Sequence, residues 1–196
     1  VCSVPKSKIQ KLARNLNTQG ILADIGDYPY ADYDGLLEQS VKKNLVLVFL
    51  DGLNDPQNLG GILRSCACFG GFAVVLPTHD SVEVTETALR VACGGENYVP
   101  IAKVANLGKA LNEAKDKGLW IAGTVVDDGH DIFHTELQFP LGIVIGSEQK
   151  GVRAVIRKVI DQALTLPMAQ PRMSLNAAHA ATVFCYEITR QKARKR

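Results

Sequence analysis

The feature that most constrains the fold is a series of short, fully apolar segments without polar alternation. The clearest is Leu45–Leu50, and similar segments follow at Phe72–Leu76, Leu119–Val126, Leu141–Ile145 and Ala163–Leu166. A strand that is apolar on both faces must be covered on both faces, as the strands of a parallel sheet are. The sequence therefore predicts interior strands of a sheet with helices on both sides.

Helical patterns occupy the stretches between these strands. They are Leu59–Phe69, Thr85–Cys93, Leu107–Lys117, Val152–Ile160 and Leu175–Arg194, with a short helix also expected at Leu36–Lys42. Strands that alternate with helices indicate an α/β fold with a mostly parallel sheet. Residues 1–40 lack sustained periodicity, so we expect a linker or the remnant of another domain there, ahead of a main domain at 41–196.

Composition is that of an ordinary globular protein. The chain has 196 residues, of which 46% are hydrophobic and 21% charged, and no apolar stretch is long enough for a membrane helix. The five cysteines are an odd number in mostly apolar surroundings, which favours free thiols in a reducing compartment. We see no secretory leader and expect a cytoplasmic protein without membrane association, although a first residue of Val1 suggests a fragment or a processed chain.

The net charge of +2 is small, but the positive charge is concentrated at the two ends. Lys6, Lys8, Lys11 and Arg14 precede every acidic residue, and the chain ends in the basic segment 190–196. Basic ends around a neutral body suggest phosphate contacts that add affinity for nucleic acid. The alternative is a pair of solvated tails.

A polar segment with two glycines follows the first predicted strand. We expect Asn58 to be the N-cap of a helix, and Gly60 and Gly61 to allow close approach of a ribose or another backbone. Arg64 lies further along among apolar neighbours and needs a partner. That partner is either a carboxylate in a structural ion pair or a phosphate or ribose beyond the strand ends, where open α/β sheets bind ligands.

A second polar loop, Gly146–Gly151, follows the strand Leu141–Ile145. It has the glycine spacing of a phosphate-binding P-loop but lacks the Lys and Ser/Thr of that motif. What remains is a glycine-rich turn with Glu148 near a helix start, where the dipole favours an anion. The alternative is a capped helix with no ligand.

The third polar loop, within Leu166–Ala180, carries more information than any other stretch. It links a buried strand to the last helix, with Ser174 at the expected N-cap. Such a junction presents backbone N–H groups and short polar side chains to a ligand. Three loops after three buried strands can converge on one site, which favours an enzyme.

Histidines do not indicate a metal site. His130 and His134 stand at helical spacing beside several Asp residues, but Gly129 and the acidic cluster predict a loop and no third ligand is convincing. His179 is either a satisfied core residue or part of the site near Asn176.

Together the three loops resemble the SpoU/TrmH family of the SPOUT superfamily, RNA ribose 2′-O-methyltransferases that use S-adenosylmethionine. The resemblance runs from about Leu45 to Gln191 and is closest to ribosomal guanosine methyltransferases. The matching residues are Asp51-Gly52, Asp55-Pro56, Asn58-Leu59-Gly60 and Arg64-Ser65, then Gly146-Ser147-Glu148 and Gly151, and finally Leu166-Pro167-Met168 and Ser174-Leu175-Asn176.

The resemblance implies a SPOUT-type trefoil knot at the C-terminus, a homodimer, and RNA as partner, with ribosomal RNA favoured over transfer RNA. It also implies two sets of site residues. The cofactor would be bound by Gly123, Thr124, Gly146, Leu166, Met168 and Leu175, without a metal. Arg64, Asn58, Glu148, Ser174 and Asn176 would surround the reacting ribose. Residues 1–40 would be the linker or remnant of an N-terminal RNA-binding domain.

Family proposals make the Arg matched by Arg64 the proton acceptor. Because a guanidinium stays protonated in proteins, we expect Arg64 instead to orient the ribose and phosphate and to favour the developing alkoxide. The chain departs from the family at Ala178 and His179, where the pattern has Ser and Val. The loss of that hydroxyl leaves two alternatives open: a transfer RNA methyltransferase, and a non-catalytic RNA-binding protein that kept the fold.

Overall fold

The computed structural model describes residues 2–13, 18–23, 26–147, 150–170 and 173–194. Within them lies one sheet of seven strands, all parallel, in the order β3-β2-β1-β6-β4-β7-β5. The strands are β1 (Val46–Asp51), β2 (Phe72–Pro77), β3 (Ile101–Val104), β4 (Trp120–Thr124), β5 (His130–Asp131), β6 (Leu141–Gly146) and β7 (Gln162–Thr165). The predicted α/β fold with a parallel sheet is confirmed.

Helices cover both faces of the sheet. They are α1 (Lys6–Ala13), α2 (Tyr33–Lys43), α3 (Pro56–Phe69), α4 (Glu86–Ala92), α5 (Leu107–Asp116), α6 (Ala154–Arg157) and α7 (Ala177–Arg194), with a 3₁₀ turn at Gly95–Asn97. Alternate residues of β1 face two separate apolar clusters. Val48 belongs to the cluster that holds α3, α4 and α7, and Phe49 belongs to the cluster that holds α2, α5 and α6. All six residues of β1 are buried, as the unbroken apolar run predicts.

Strand β6 lies between β1 and β4, although it follows both in the chain. Phe49 of β1 is in register with Val144 of β6, and Ala122 of β4 is in register with Ile143. The sheet therefore becomes continuous only when β6 is inserted. The trefoil knot implied by the family resemblance stays a prediction.

Two strands were absent from the sequence prediction because their patterns are weak. β3 is four residues long and contains Lys103, and β5 has only two residues. Both are edge strands, which are short and less apolar than interior strands.

The predicted helix Val152–Ile160 is wrong in length, since α6 covers only Ala154–Arg157. The chain leaves the helix because it is drawn to β4. Asp161 donates its backbone N–H to the Ile121 carbonyl, and its carboxylate accepts the Ile121 N–H at 2.8 Å. These two bonds replace the ones that a longer helix would make.

The segment before α2 is attached to the edge of the sheet. Ala31 forms a parallel bridge to Ala102, with its N–H 2.7 Å from the Ile101 carbonyl oxygen. Leu36 and Leu37 of α2 are buried in the core. The division of the chain into 1–40 and 41–196 stays a prediction. No helix in the described residues is long and apolar enough to cross a bilayer.

Candidate active site

A cavity of about 270 Å³ opens at the carboxyl ends of β4, β6 and β7. This edge of an open parallel sheet is where such folds bind ligands. Three loops and the first turns of α7 form its walls. The lining residues are Thr124, Val125, Val126, Ile145, Gly146, Ser147, Lys150, Gly151, Arg157, Thr165, Leu166, Met168, Met173, Ser174, Leu175, Ala177, Ala180 and Phe184. We call this the main cavity.

Five of the six residues expected to bind a cofactor line the main cavity. They are Thr124, Gly146, Leu166, Met168 and Leu175, and the expected catalytic residue Ser174 lines it too. Gly123 lies one residue away on β4 and is not part of the lining. A Cβ built on Gly123 would meet Ile160 Cδ1 at 2.7 Å, so this glycine makes room for the chain that follows α6.

Gly146 allows the second polar loop to close on itself. A Cβ there would overlap the backbone of Gly151, whose carbonyl carbon it would meet at 2.2 Å. The loop is closed by the Gly151 N–H, which donates to the Ser147 carbonyl at 2.8 Å. Glu148 lies outside the described residues, and its neighbours Ser147 and Lys150 both line the main cavity.

The first polar segment forms the start of α3, with a different cap from the one expected. Asp55 is the N-cap and accepts a hydrogen bond from the Gln57 N–H, with Pro56 in the first helical turn. The predicted N-cap, Asn58, is wrong. It lies inside the helix and is only 5% exposed, which frees its side chain for a tertiary contact.

That contact joins the first and third polar segments. Asn176 Nδ2 donates to Asn58 Oδ1 at 2.6 Å, across a sequence separation of 118 residues. Asn176 Oδ1 also accepts the backbone N–H of Ala178 at 2.8 Å, so Asn176 caps α7. The predicted N-cap at Ser174 is therefore wrong, because α7 begins at Ala177 and the third loop extends two residues further.

Helices α3 and α7 pack closely behind this pair. A Cβ on Gly61 would lie 2.8 Å from Ala178 Cβ, so the two helices touch at small residues. Further along, Ser65 Oγ and Thr182 Oγ1 are 2.6 Å apart. Hydrogen bonding to Cys185 and burial both raise the pKa of the Cys66 thiol. All five cysteines are free thiols.

Arg64 is exposed on α3, between the faces that contact α4 and α7. Its Nη1 donates to Cys93 Sγ at 3.4 Å, and among the described residues it forms no ion pair. The backbone of Arg64 is held by close contact with Gly95, where a Cβ would lie 3.1 Å from Arg64 Cα. Of the two alternatives for Arg64, a structural ion pair with a described carboxylate is not what the structure contains.

Histidines stand apart from the main cavity. His134 Nδ1 lies 2.8 Å from Asp131 Oδ2 in the loop after β5. His179 is exposed on the first turn of α7, so it is not a core residue. No group of three or more His, Cys, Asp or Glu side chains in the described part of the chain could hold a metal ion.

A second, polar cavity of about 470 Å³ adjoins the main one. Ser147 and Lys150 line both cavities, and the second also contains Asp51, Asp55, Asp80 and Arg153. The Asp51 carboxylate is fully buried and accepts from Arg153 Nε at 2.6 Å and from the Arg153 N–H at 2.8 Å. This ion pair fixes the loop that separates the two cavities.

Sequence reasoning missed the two cations of the main cavity, Lys150 and Arg157. Lys150 lies in a segment that fails the P-loop pattern. Arg157 lies on the short helix α6, whose bounds the sequence did not give. The repeated basic residues after Gly151 were the available signal.

Comparison with known proteins supplies the family. A profile described as the SpoU rRNA Methylase family matches residues 45–186. The chain belongs to the SpoU methylase family. A TrmH family tRNA/rRNA methyltransferase of Staphylococcus aureus (strain COL) is 40% identical over 194 residues, which are 98% of this chain and 78% of that protein.

Solved SpoU-type structures share the fold. The SpoU methyltransferase AviRb from Streptomyces viridochromogenes, in complex with AdoMet, superimposes with a TM-score of 0.76 at 26% identity, covering 86% of this chain and 67% of that chain. An AdoMet-bound rRNA methyltransferase from Sinorhizobium meliloti superimposes with a TM-score of 0.81, covering 95% of this chain and 70% of that one. At 22% identity the second likeness concerns the fold alone.

Proposed function

We propose that this protein methylates a ribose 2′-hydroxyl in structured RNA, with ribosomal RNA favoured over transfer RNA and S-adenosylmethionine as methyl donor. The observation that carries the proposal is the hydrogen bond between Asn58 and Asn176. It brings the first and third family motifs together, and Asn176 is flanked by Leu175 and Ala177, both of which line the main cavity. The family profile and the AdoMet-bound AviRb complex support the reaction and the donor.

The residues of the main cavity fit S-adenosylmethionine. Ile145, Leu166 and Phe184 offer an apolar surface for an adenine ring, and the backbone of the loops offers polar groups beside it. The tight closure at Gly146 leaves the loop backbone free of a side chain at the cavity wall. When bound, the cofactor supplies an electrophilic methyl group on its sulfonium.

The chemistry requires the ribose oxygen to bond to the methyl carbon, lose its proton, and leave the electron pair of the broken C–S bond on sulfur. We assign Asn58 and Asn176 to placing the ribose, with Ser174 and Glu148 nearby. Arg64 has no competing ion pair among the described residues, so its guanidinium is available to the ribose and the adjoining phosphate. A fixed positive charge there favours the developing alkoxide, and the proton leaves to phosphate or water.

Arg64→Lys tests the role of the guanidinium. The variant keeps the charge but loses the planar fork of donors, so we expect methyl transfer to fall about tenfold or more, with little change in the melting temperature. Arg90→Lys on α4 is the matched control, because its guanidinium is exposed and paired only with Glu86. A rate close to that of the unaltered protein, with an unshifted pH profile, would show that guanidinium geometry is not needed.

Transfer of a labelled methyl group from S-adenosylmethionine to purified ribosomal and transfer RNA tests the function itself. We expect label in ribosomal RNA that survives as an alkali-resistant 2′-O-methyl linkage. Label in transfer RNA alone would favour the second substrate. Cofactor binding without transfer to either RNA would favour the non-catalytic RNA-binding protein.

RNA contacts beyond the cavity are proposed for the basic ends. Lys6, Lys8 and Lys11 are exposed on α1 and could each neutralise a phosphate. We also propose a homodimer that uses the exposed face of α3 and α7, where Tyr186 is 56% exposed and its ring stacks edge-on against Phe69. Substrates of this class place the protein in the cytoplasm. Light scattering after size exclusion measures the oligomeric state directly.

A further inference from the structure

The main cavity has an apolar wall and a cationic end. Its charged side chains among the described residues are Lys150 and Arg157, and both are basic. Its acceptors and donors otherwise are hydroxyls, such as Thr124, Thr165 and Ser174. A ligand that fills this space with an apolar ring at one end needs an anionic group at the other to match the cations.

Arg157 is held in place by the loop that it crosses. Its Nε donates to the Val152 carbonyl at 3.2 Å, which leaves the two terminal nitrogens uncommitted by any described hydrogen bond. Nη2 lies beside Gly151, where a Cβ would be 3.9 Å from it. Gly151 also lines the cavity, so the guanidinium is folded back over the cavity wall rather than extended into solvent.

Lys150 and Arg157 are not equivalent. Lys150 lines both cavities, so its ammonium serves either of them. Arg157 lines only the main cavity, and a guanidinium presents two parallel N–H donors that match the two oxygens of a carboxylate. Ligand ordering also costs less when the donor is already fixed.

We propose that Arg157 binds the carboxylate at the amino-acid end of the methyl donor and so sets the orientation of the donor in the cavity. This inference rests on the proposed function, since it takes S-adenosylmethionine as the ligand. It assigns to a residue outside the three family motifs the recognition of the one anionic group that the donor carries. The adenosine end would then depend on the apolar wall and the loop backbone, and not on Arg157.

Two ligands separate these contributions. S-adenosylhomocysteine carries the carboxylate, and 5′-methylthioadenosine has the same nucleoside and sulfur without the amino-acid end. The affinities of both are measured by titration calorimetry on the full chain, for the unaltered protein and for Arg157→Gln. We expect Arg157→Gln to weaken S-adenosylhomocysteine binding about 10- to 100-fold, as for a charge-assisted hydrogen bond, and to change 5′-methylthioadenosine binding less than about twofold.

Lys158→Gln is the matched control. Lys158 follows Arg157 directly, is exposed, and is not part of the lining, so the same change of charge should leave both affinities unaltered. Arg157→Lys, which keeps a charge but not the fork, should give an intermediate affinity for S-adenosylhomocysteine. It also decides the matter if the Gln variant does not fold.

Three results would overturn the assignment. They are equal weakening of both ligands by Arg157→Gln or Arg157→Lys, unchanged S-adenosylhomocysteine binding, and the same loss in Lys158→Gln. If the unaltered protein binds neither ligand, it is the proposed donor that fails. If it binds both and only the Arg157 variants behave like the control, the donor stands and the role of Arg157 falls.

Discussion

Asn176 serves two purposes at once within the site. Its Oδ1 accepts backbone N–H groups of the first turn of α7, and its Nδ2 donates to Asn58. The first interaction stabilises a helix terminus and the second fixes the relative position of two motifs. A carboxylate at this position would keep the acceptor and remove the donor, so the two purposes can be separated by mutation.

We expect Asn176→Ala to lower the free energy of unfolding by about 1 kcal/mol through the lost cap, and to reduce methyl transfer at least about tenfold. Asn176→Asp should keep the cap, lose the Asn58 bond, and show a similar loss of rate with less loss of stability. Denaturant unfolding and methyl transfer to RNA measure the two effects.

Asn106 provides the control, because it caps α5 through the Lys109 N–H at 3.0 Å and lies outside the site. Asn106→Ala should cost similar stability and leave the rate unchanged. An Asn176→Asp variant with full activity would refute the importance of the Asn58 contact.

At this scale the sequence located the residues better than their local roles. Asn58 and Ser174 were expected as caps, yet Asp55 and Asn176 are the caps. The Asp-Pro pair at 55 and 56 is a helix-start signal that favours the observed boundary. No comparable local signal distinguishes Ser174 from Asn176, since both residue types cap helices and the choice depends on the contact with Asn58, far away in the chain.

Helix α3 is packed against two other helices at its adjacent glycines. A Cβ on Gly60 would lie 2.5 Å from the Ala88 carbonyl oxygen and 2.6 Å from Val91 Cβ, both on α4. Gly61 meets α7 instead. The pair thus sets how closely α3 approaches both neighbours, and through them the positions of Arg64 and Asn58.

Gly60→Ala should therefore destabilise the fold by about 1–3 kcal/mol, because backbone atoms must move to accommodate the methyl group. Gly108→Ala on α5 is the control, since the nearest atom to its Cβ would be Asn106 Oδ1 at 3.4 Å and Ala is the better helix former. That variant should be neutral or more stable. Thermal unfolding compares the two, and equal melting temperatures would show that the α3–α4 contact is not tight.

The pattern of apolar residues was enough to place the interior strands and the long helices. It gave no warning of β3 and β5, whose few residues carry too little periodicity. The end of α6 could not be predicted either, because it depends on hydrogen bonds between Asp161 and Ile121 that only the folded sheet provides.

For the whole molecule, α7 ties the site to the opposite end of the sheet through a buried carboxylate. Glu187 accepts from Arg190 at 2.6 and 2.7 Å and from Gln191 at 2.7 Å. Gln191 in turn binds the loop before β6, accepting the Leu137 N–H and donating to the Thr135 carbonyl. Hydrogen bonding to Arg190, and then to Gln191, lowers the pKa of Glu187 below its ordinary value of 4.5.

A lowered pKa in the folded state means that the charged carboxylate stabilises the protein above a pH of about 4.5. That stability is lost as the pH falls through the folded pKa. We expect Glu187→Gln to flatten the dependence of unfolding free energy on pH in this acid range. Glu113→Gln on α5, an exposed partner of Lys109, should keep the original slope. Urea unfolding at a series of pH values from 3 to 7 makes the comparison, and identical slopes in all three proteins would contradict the role of Glu187.

The parallel sheet and its two helical layers were predictable because every interior strand is apolar on both faces. The strand order was not, since apolar runs do not say which strands are neighbours. The pairing of β6 with both β1 and β4 follows from long-range packing, and the same is true of the convergence of three loops at one edge.

The late position of β6 has a consequence for how the protein is made. While a ribosome synthesises the chain, β1, β2 and β3 can pair as soon as they emerge, but β4 has no neighbour among them. It must wait, with its apolar faces uncovered, until residues 141–146 arrive to bridge the gap. A nascent chain stalled before that point would hold half a sheet and an orphan strand, and would be a natural client for chaperones.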